Sequence, residues 1–186
     1  MNTIRSNQSV LNFKLPYYLF SIFFVIFSMV STNAVEAAGW GKTKEAIQLE
    51  GVSWNKIYLD LEDLYLSAFI PNYSGADLNN NSVLMNGHVD KKFVYMIITT
   101  YKPEIKSLKS KKALIQLVQD ANPNSTVKAI SATKLGAKYG VDEISVDETG
   151  TTYWRYLVTE NRLIAMVTTD SNEERRALFF ESVLIE

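Results

Sequence analysis

The residues that could do chemistry are few and scattered. The 186-residue chain has one histidine, His88, and no cysteine. Any Ser-His-Asp triad would have to run through His88, and thiolate nucleophiles and cysteine-ligated metals are excluded. His88 lies in Asn86-Gly87-His88-Val89, near a predicted hairpin end, with no nucleophile or orienting acid beside it in sequence. It reads as a turn histidine that is solvated or bonded to backbone. Carboxylates cluster as Asp60, Glu62 and Asp63, and again as Asp142, Glu143, Asp147 and Glu148. The second set flanks a predicted strand, so alternate members point to opposite faces and cannot all converge. Neither set has the offsets of a calcium loop, and both read as solvated sheet rims. Gly39-Trp40-Gly41-Lys42-Thr43 ends like a phosphate-binding loop, but Glu36 stands where that loop needs its first glycine. No catalytic set, metal site or cofactor is expected.

One charge cluster stands out. Lys102, Lys106, Lys109, Lys111 and Lys112 precede a predicted helix. A solubilising helix entry is the plain reading. Cations at a helix N-terminus oppose the macrodipole, however, so helix stability alone does not favour them. Lys106, Lys109, Lys111 and Lys112 are therefore the candidate surface for an acidic partner or anionic headgroups. With 19 basic against 20 acidic residues, net charge −1, the chain has no basic excess for nucleic acid. Tyr95, Tyr101, Tyr153, Trp154 and Tyr156 sit among apolar neighbours and read as packing. Asn-x-Ser/Thr occurs at Asn72, Asn80 and Asn124, and matters only in a glycosylating host.

Residues 1–37 have a composition of their own. Arg5 and Lys14 open it, and Leu15–Val35 is an uncharged run of 21 residues. Small residues follow around Ala34 and Ala37. This is the pattern of a secretory signal, with cleavage expected after Ala37 and cleavage after Ala34 as the competitor. The alternative is an uncleaved anchor, since about 20 apolar residues span a bilayer; residues 15–35 would then contact the membrane. Either way residues 38–186 are expected outside the cytoplasm, periplasmic or extracellular, as a single domain.

Positioning falls to strands and two helices. Residues 39–53 read as polar, with a helical turn around 44–49. Strands are predicted over Trp54–Leu59 and Leu64–Ile70, the latter with Leu64, Leu66, Ala68 and Ile70 on one face. Residues 72–82 read as a loop, and Val83–Val89 with Lys92–Tyr101 as a hairpin at Asp90. Further strands follow at Thr126–Ser131, Tyr139–Val146, Thr152–Thr159 and Arg162–Thr169. Leu114, Leu117, Val118 and Ala121 mark a helix within Leu108–Ala121. A closing helix is expected from the Ser171-Asn172-Glu173-Glu174 capping box, burying Ala177, Phe180, Val183 and Leu184. Phe93–Ile98, Trp154–Val158 and Leu163–Val167 are apolar at odd and even positions alike, so their sheet needs cover on both faces, expected from helices.

The order of features resembles exported PsbP-like domains. Trp54 and Leu64-Tyr65-Leu66-Ser67-Ala68-Phe69-Ile70-Pro71 are similar to their opening Trp and Phe-Pro strand. Tyr95–Tyr101, Pro103 and the helix over 107–121 look like the next hairpin strand and first long helix. Gly136, Gly140 and Glu143 resemble a Gly-x-x-Gly-x-Glu-type strand entry. Tyr153–Tyr156, Arg162-Leu163-Ile164 and Leu178-Phe179-Phe180-Glu181-Ser182 resemble the final hairpin and Phe-Phe-x-Ser helix. The resemblance covers about residues 54–185 and implies an α+β fold, an antiparallel sheet sandwiched between helices. It also implies a non-catalytic accessory or binding protein, here of an envelope protein or complex. A hydrolase using carboxylates or a Ser/Lys pair, and a membrane-tethered structural protein, are the alternatives.

Overall fold

A computed structural model describes residues 37–79, 82–101 and 108–186. The leader, apart from Ala37, lies outside the described residues, as do Lys102, Lys106 and Asn80. Eleven strands form two antiparallel sheets among the described residues. The small sheet has the order β1-β2-β3-β11, from β1 (Ala37–Leu49), β2 (Val52–Leu61), β3 (Leu64–Pro71) and β11 (Leu184–Ile185). The large sheet has the order β4-β5-β6-β10-β9-β8-β7. Its strands are β4 (Gly75–Asn79), β5 (Ser82–Val89), β6 (Phe93–Tyr101), β7 (Thr126–Ile130), β8 (Tyr139–Asp147), β9 (Gly150–Val158) and β10 (Arg162–Thr168). Two helices join them among the described residues: α1 (Lys111–Ala121) and α2 (Glu173–Glu181).

The two-sided strands have cover on both faces, but of two kinds. Tyr95, Ile97, Leu157, Ile164 and Met166 pack in one core with Trp54, Ile57, Leu59, Leu64, Leu66, Ala68 and Ile70 of the small sheet, and with Phe179 of α2. Ile98, Trp154, Tyr156, Val158, Leu163, Ala165 and Val167 pack on the other side with Leu114 and Val118 of α1. One face is thus covered mainly by a second sheet and the other by a helix. This corrects the expected α+β sandwich of one sheet between helices: the fold is mainly β, with two packed sheets.

Three strands, β1, β4 and β11, are absent from the sequence reading. Residues 39–53 are not a polar segment with a helical turn. Residues 39–49 belong to edge strand β1, its ladder to β2 broken between Lys42 and Ala46, and residues 52–53 open β2. An edge strand buries few side chains, so it writes little alternation into the sequence. Residues 72–82 are not all loop either, since Gly75–Asn79 pairs with Ser82–Asn86 as β4. The closing helix also shifts by one residue. Asn172, not Ser171, is its cap, with Oδ1 accepting the Arg175 N–H at 2.9 Å. Phe179, Phe180 and Val183 are buried while Ala177 and Leu184 are exposed. Phe179 sets that rotation by packing edge-on against Tyr95 at 5.2 Å, and Tyr95 meets Trp54 in the same way.

Gly136 shows how tightly the sheets close. It follows the 3-10 turn Thr133–Leu135 with φ +82°, and a Cβ there would lie 1.9 Å from the Ile185 carbonyl oxygen. Only glycine supplies both the left-handed turn and the close approach.

Candidate partner surface

α1 is built to hold its N-terminal end in a fixed place. Ser110 caps it in extended conformation, its hydroxyl accepting the Ala113 N–H at 3.2 Å. Leu114 and Val118, one turn apart, bury against the large sheet. At the other end the Asn122 N–H bonds the Val118 carbonyl at 3.0 Å, and its side-chain amide donates to Glu143 and Ser145 at 2.8 and 3.0 Å. Lys109, Lys111 and Lys112 are all exposed, and among the described residues none makes an ion pair. No acidic residue stands in the first turn to offset them. Lys106 lies outside the described residues. The helix therefore presents at least three uncompensated cations from a rigid base.

Several buried or half-buried charged groups serve the fold. Arg155, within an apolar strand, grips Asp142 with two hydrogen bonds of 2.7 and 3.0 Å, and donates to the Phe180 carbonyl at 3.0 Å and Glu181 at 2.7 Å. Burial alone would lower the Arg155 guanidinium, but the bonds and charges of Asp142 and then Glu181 outweigh it and hold it above its usual value. Asp170, fully buried, accepts the Tyr95 hydroxyl at 2.5 Å, Arg175 at 2.7 and 3.0 Å, and the Asn172 N–H at 2.9 Å. Burial pushes this carboxyl up; the donors and the Arg175 charge pull it further down, to below 3.8. Arg175 reaches on to Glu50 at 3.0 Å. Arg162 pairs with Asp63 at 2.6 Å, tying the turn after β2 to the start of β10. These links dock α2 at both ends and join the sheets.

Buried Glu143 takes hydrogen bonds from Tyr156 at 2.8 Å and from Asn122, beneath α1. Burial, then the Glu143 charge, raise the Tyr156 hydroxyl well above its usual value. Asp142 and Glu143 face opposite sides of the sheet, one toward Arg155 and one toward α1, as strand alternation requires. Asp147 instead accepts from Thr149 within its own turn at 2.7 Å. Asp142, Glu143 and Asp147 therefore do not converge. Three serines are similarly engaged: Ser110 caps α1, Ser145 meets Asn122, and Ser182 accepts the Phe69 N–H at 2.9 Å.

The remaining sequence candidates are dispersed. His88 sits on β5 opposite Val94, and its ring makes no hydrogen bond among the described residues. Gly39–Thr43 lies in β1, extended rather than cradled. Among the described residues no three His, Asp or Glu side chains converge as a metal site needs, and no helix is long and apolar enough to cross a membrane. Sequence reading missed the Asp170–Tyr95–Arg175 cluster, whose members come from a strand, a loop and a helix. Arg155 did carry a signal: a cation inside a strand apolar on both faces demands a buried acid nearby. Comparison with family models, with curated proteins and with solved structures gives no match.

Proposed function

We propose that the chain is an exported, non-catalytic binding domain of the cell envelope, acting through the lysine end of α1. The observation that carries this reading is the contrast between charges. Asp142, Glu143, Asp170 and Arg155 are spent on internal links, whereas Lys109, Lys111 and Lys112 are held out without counter-ions. Lysines so placed gain little for the helix itself. They complement an acidic surface on a partner. The leader sequence supports export, and the absence of an assembled acid–base pair among the described residues favours binding over hydrolysis.

The test is affinity capture of a C-terminally tagged chain from its native envelope. Recovery in a complex, dispersed by raised salt, is the expected result. Recovery as a free, soluble monomer would contradict the reading.

A further inference from the structure

The register places the chain's point of entry and its lysines at the same end of the molecule. β1 begins at Ala37, paired with Leu61 beside the turn between β2 and β3. Asp63 in that turn meets Arg162, which opens β10 opposite Tyr101, the last residue of β6. β6 leads on to α1, whose far end is fixed by Asn122 on Glu143 and Ser145, in the second half of β8. β8 begins at Tyr139, opposite Val158, back at the Arg162 end. The N-terminus of α1 is thus turned toward the end where β1 starts. One residue before Ala37 the uncharged 21-residue sequence Leu15–Val35 has just ended.

From this juxtaposition we infer that the end bearing Lys109, Lys111 and Lys112 faces an anionic phospholipid bilayer, with the lysine ammonium groups on lipid phosphates. This rests on the reading of the lysine end as a docking surface and names its partner. Kept uncleaved, the uncharged sequence is long enough to span a bilayer, and a domain joined to it at Ala37 presents this end first; cleaved, the domain is held by the lysines alone. Lysines suit a headgroup layer because they act as compact point charges on flexible stems, with no need for bidentate geometry. The same end has a second side. Asp60 lies near the end of β2 and Glu62 in the turn after it, and Glu186 pairs by its backbone with Tyr65, all on the small-sheet side. Contact is therefore confined to the α1 side of the large sheet. Lys138 is neutralised by Glu160 and adds nothing. Each lysine near an anionic surface contributes roughly a fivefold gain in binding, so three together give on the order of a hundredfold.

The experiment uses the full chain with vesicles of phosphatidylcholine alone or with added phosphatidylglycerol. A water-soluble amine reagent then labels the lysines, and peptide mass analysis reads each site. Labelling of Lys109, Lys111 and Lys112 should fall about tenfold or more on the anionic vesicles relative to the neutral ones. Lys91, Lys92 and Lys128 serve as internal references and should not change. Protection should vanish at high salt. Equal labelling of the three sites on both vesicle types would overturn the inference. If labelling is equal but Lys109→Glu, Lys111→Glu, Lys112→Glu still releases the chain from envelopes, the partner is an acidic protein. In that case the docking reading survives and the lipid assignment falls. If envelope retention is also unchanged, both fail.

Discussion

The most consequential single group is Asp170. It is buried among a tyrosine, an arginine and a backbone N–H, and through Arg175 it reaches Glu50 in the turn after β1. Removing one partner of such a pair leaves a buried charge uncompensated, at a cost of about 3–5 kcal/mol. Asp170→Asn should lower the stability measured by urea unfolding at pH 7 by that amount, with the fold retained. The pH dependence follows from the direction of its shift. The folded carboxyl is held below 3.8, so its stabilisation is complete above the unfolded-state pKa and fades as pH falls through the folded value. Acid unfolding should therefore steepen below about pH 4 in the wild type and less so in Asp170→Asn. A parallel acid limb in both would show that other carboxylates dominate. Arg155 was the residue most open to inference, because a cation within Trp154–Val158 has to be paired. Its partners were not: Asp142 lies across a strand pair, while Glu181 comes from a helix 26 residues later.

Among the elements, strands that bury alternate or continuous apolar runs were legible; of the edge strands β7 was read, while β1 and β4 were not. β3, β5, β6, β9 and β10 stand within a residue or two of expectation because their burial is written in the sequence. β1 and β4 escaped notice because they border the sheets and are specified by pairing more than by packing. The covering strands β2 and β3 were read as strands, but their pairing apart from the large sheet is a matter of topology that alternation does not carry. Two substitutions probe the elements that matter. Gly136→Ala drives a Cβ into the Ile185 carbonyl oxygen and also strains a left-handed turn. It should destabilise severely, with loss of the cooperative unfolding transition or a large fall in its midpoint. Ser110→Ala removes the α1 cap and should cost about 1 kcal/mol. Native-state hydrogen exchange would then show the Ala113 amide opening more readily while β9 and β10 stay protected.

For the whole molecule, the two sheets and α1 form a frame in which Arg155, Arg162 and Asp170 make buried ionic links. What faces outward without compensation, among the described residues of α1 and its approach, is a set of lysines at one end. The sequence already marked those lysines as badly placed for helix stability. It did not show that they share an end with the chain's entry, because that depends on strand register and on how α1 is docked. The central claim is that this end holds the protein at the envelope, and charge reversal reads it most directly. Retention on washed envelopes is measured for the wild type, for the triple variant Lys109→Glu, Lys111→Glu, Lys112→Glu, and for Lys91→Glu, Lys92→Glu, Lys128→Glu as an equal-charge control. At least a tenfold loss is expected for the first variant, little change for the control, and native circular dichroism for both. Equal retention of all three would contradict it.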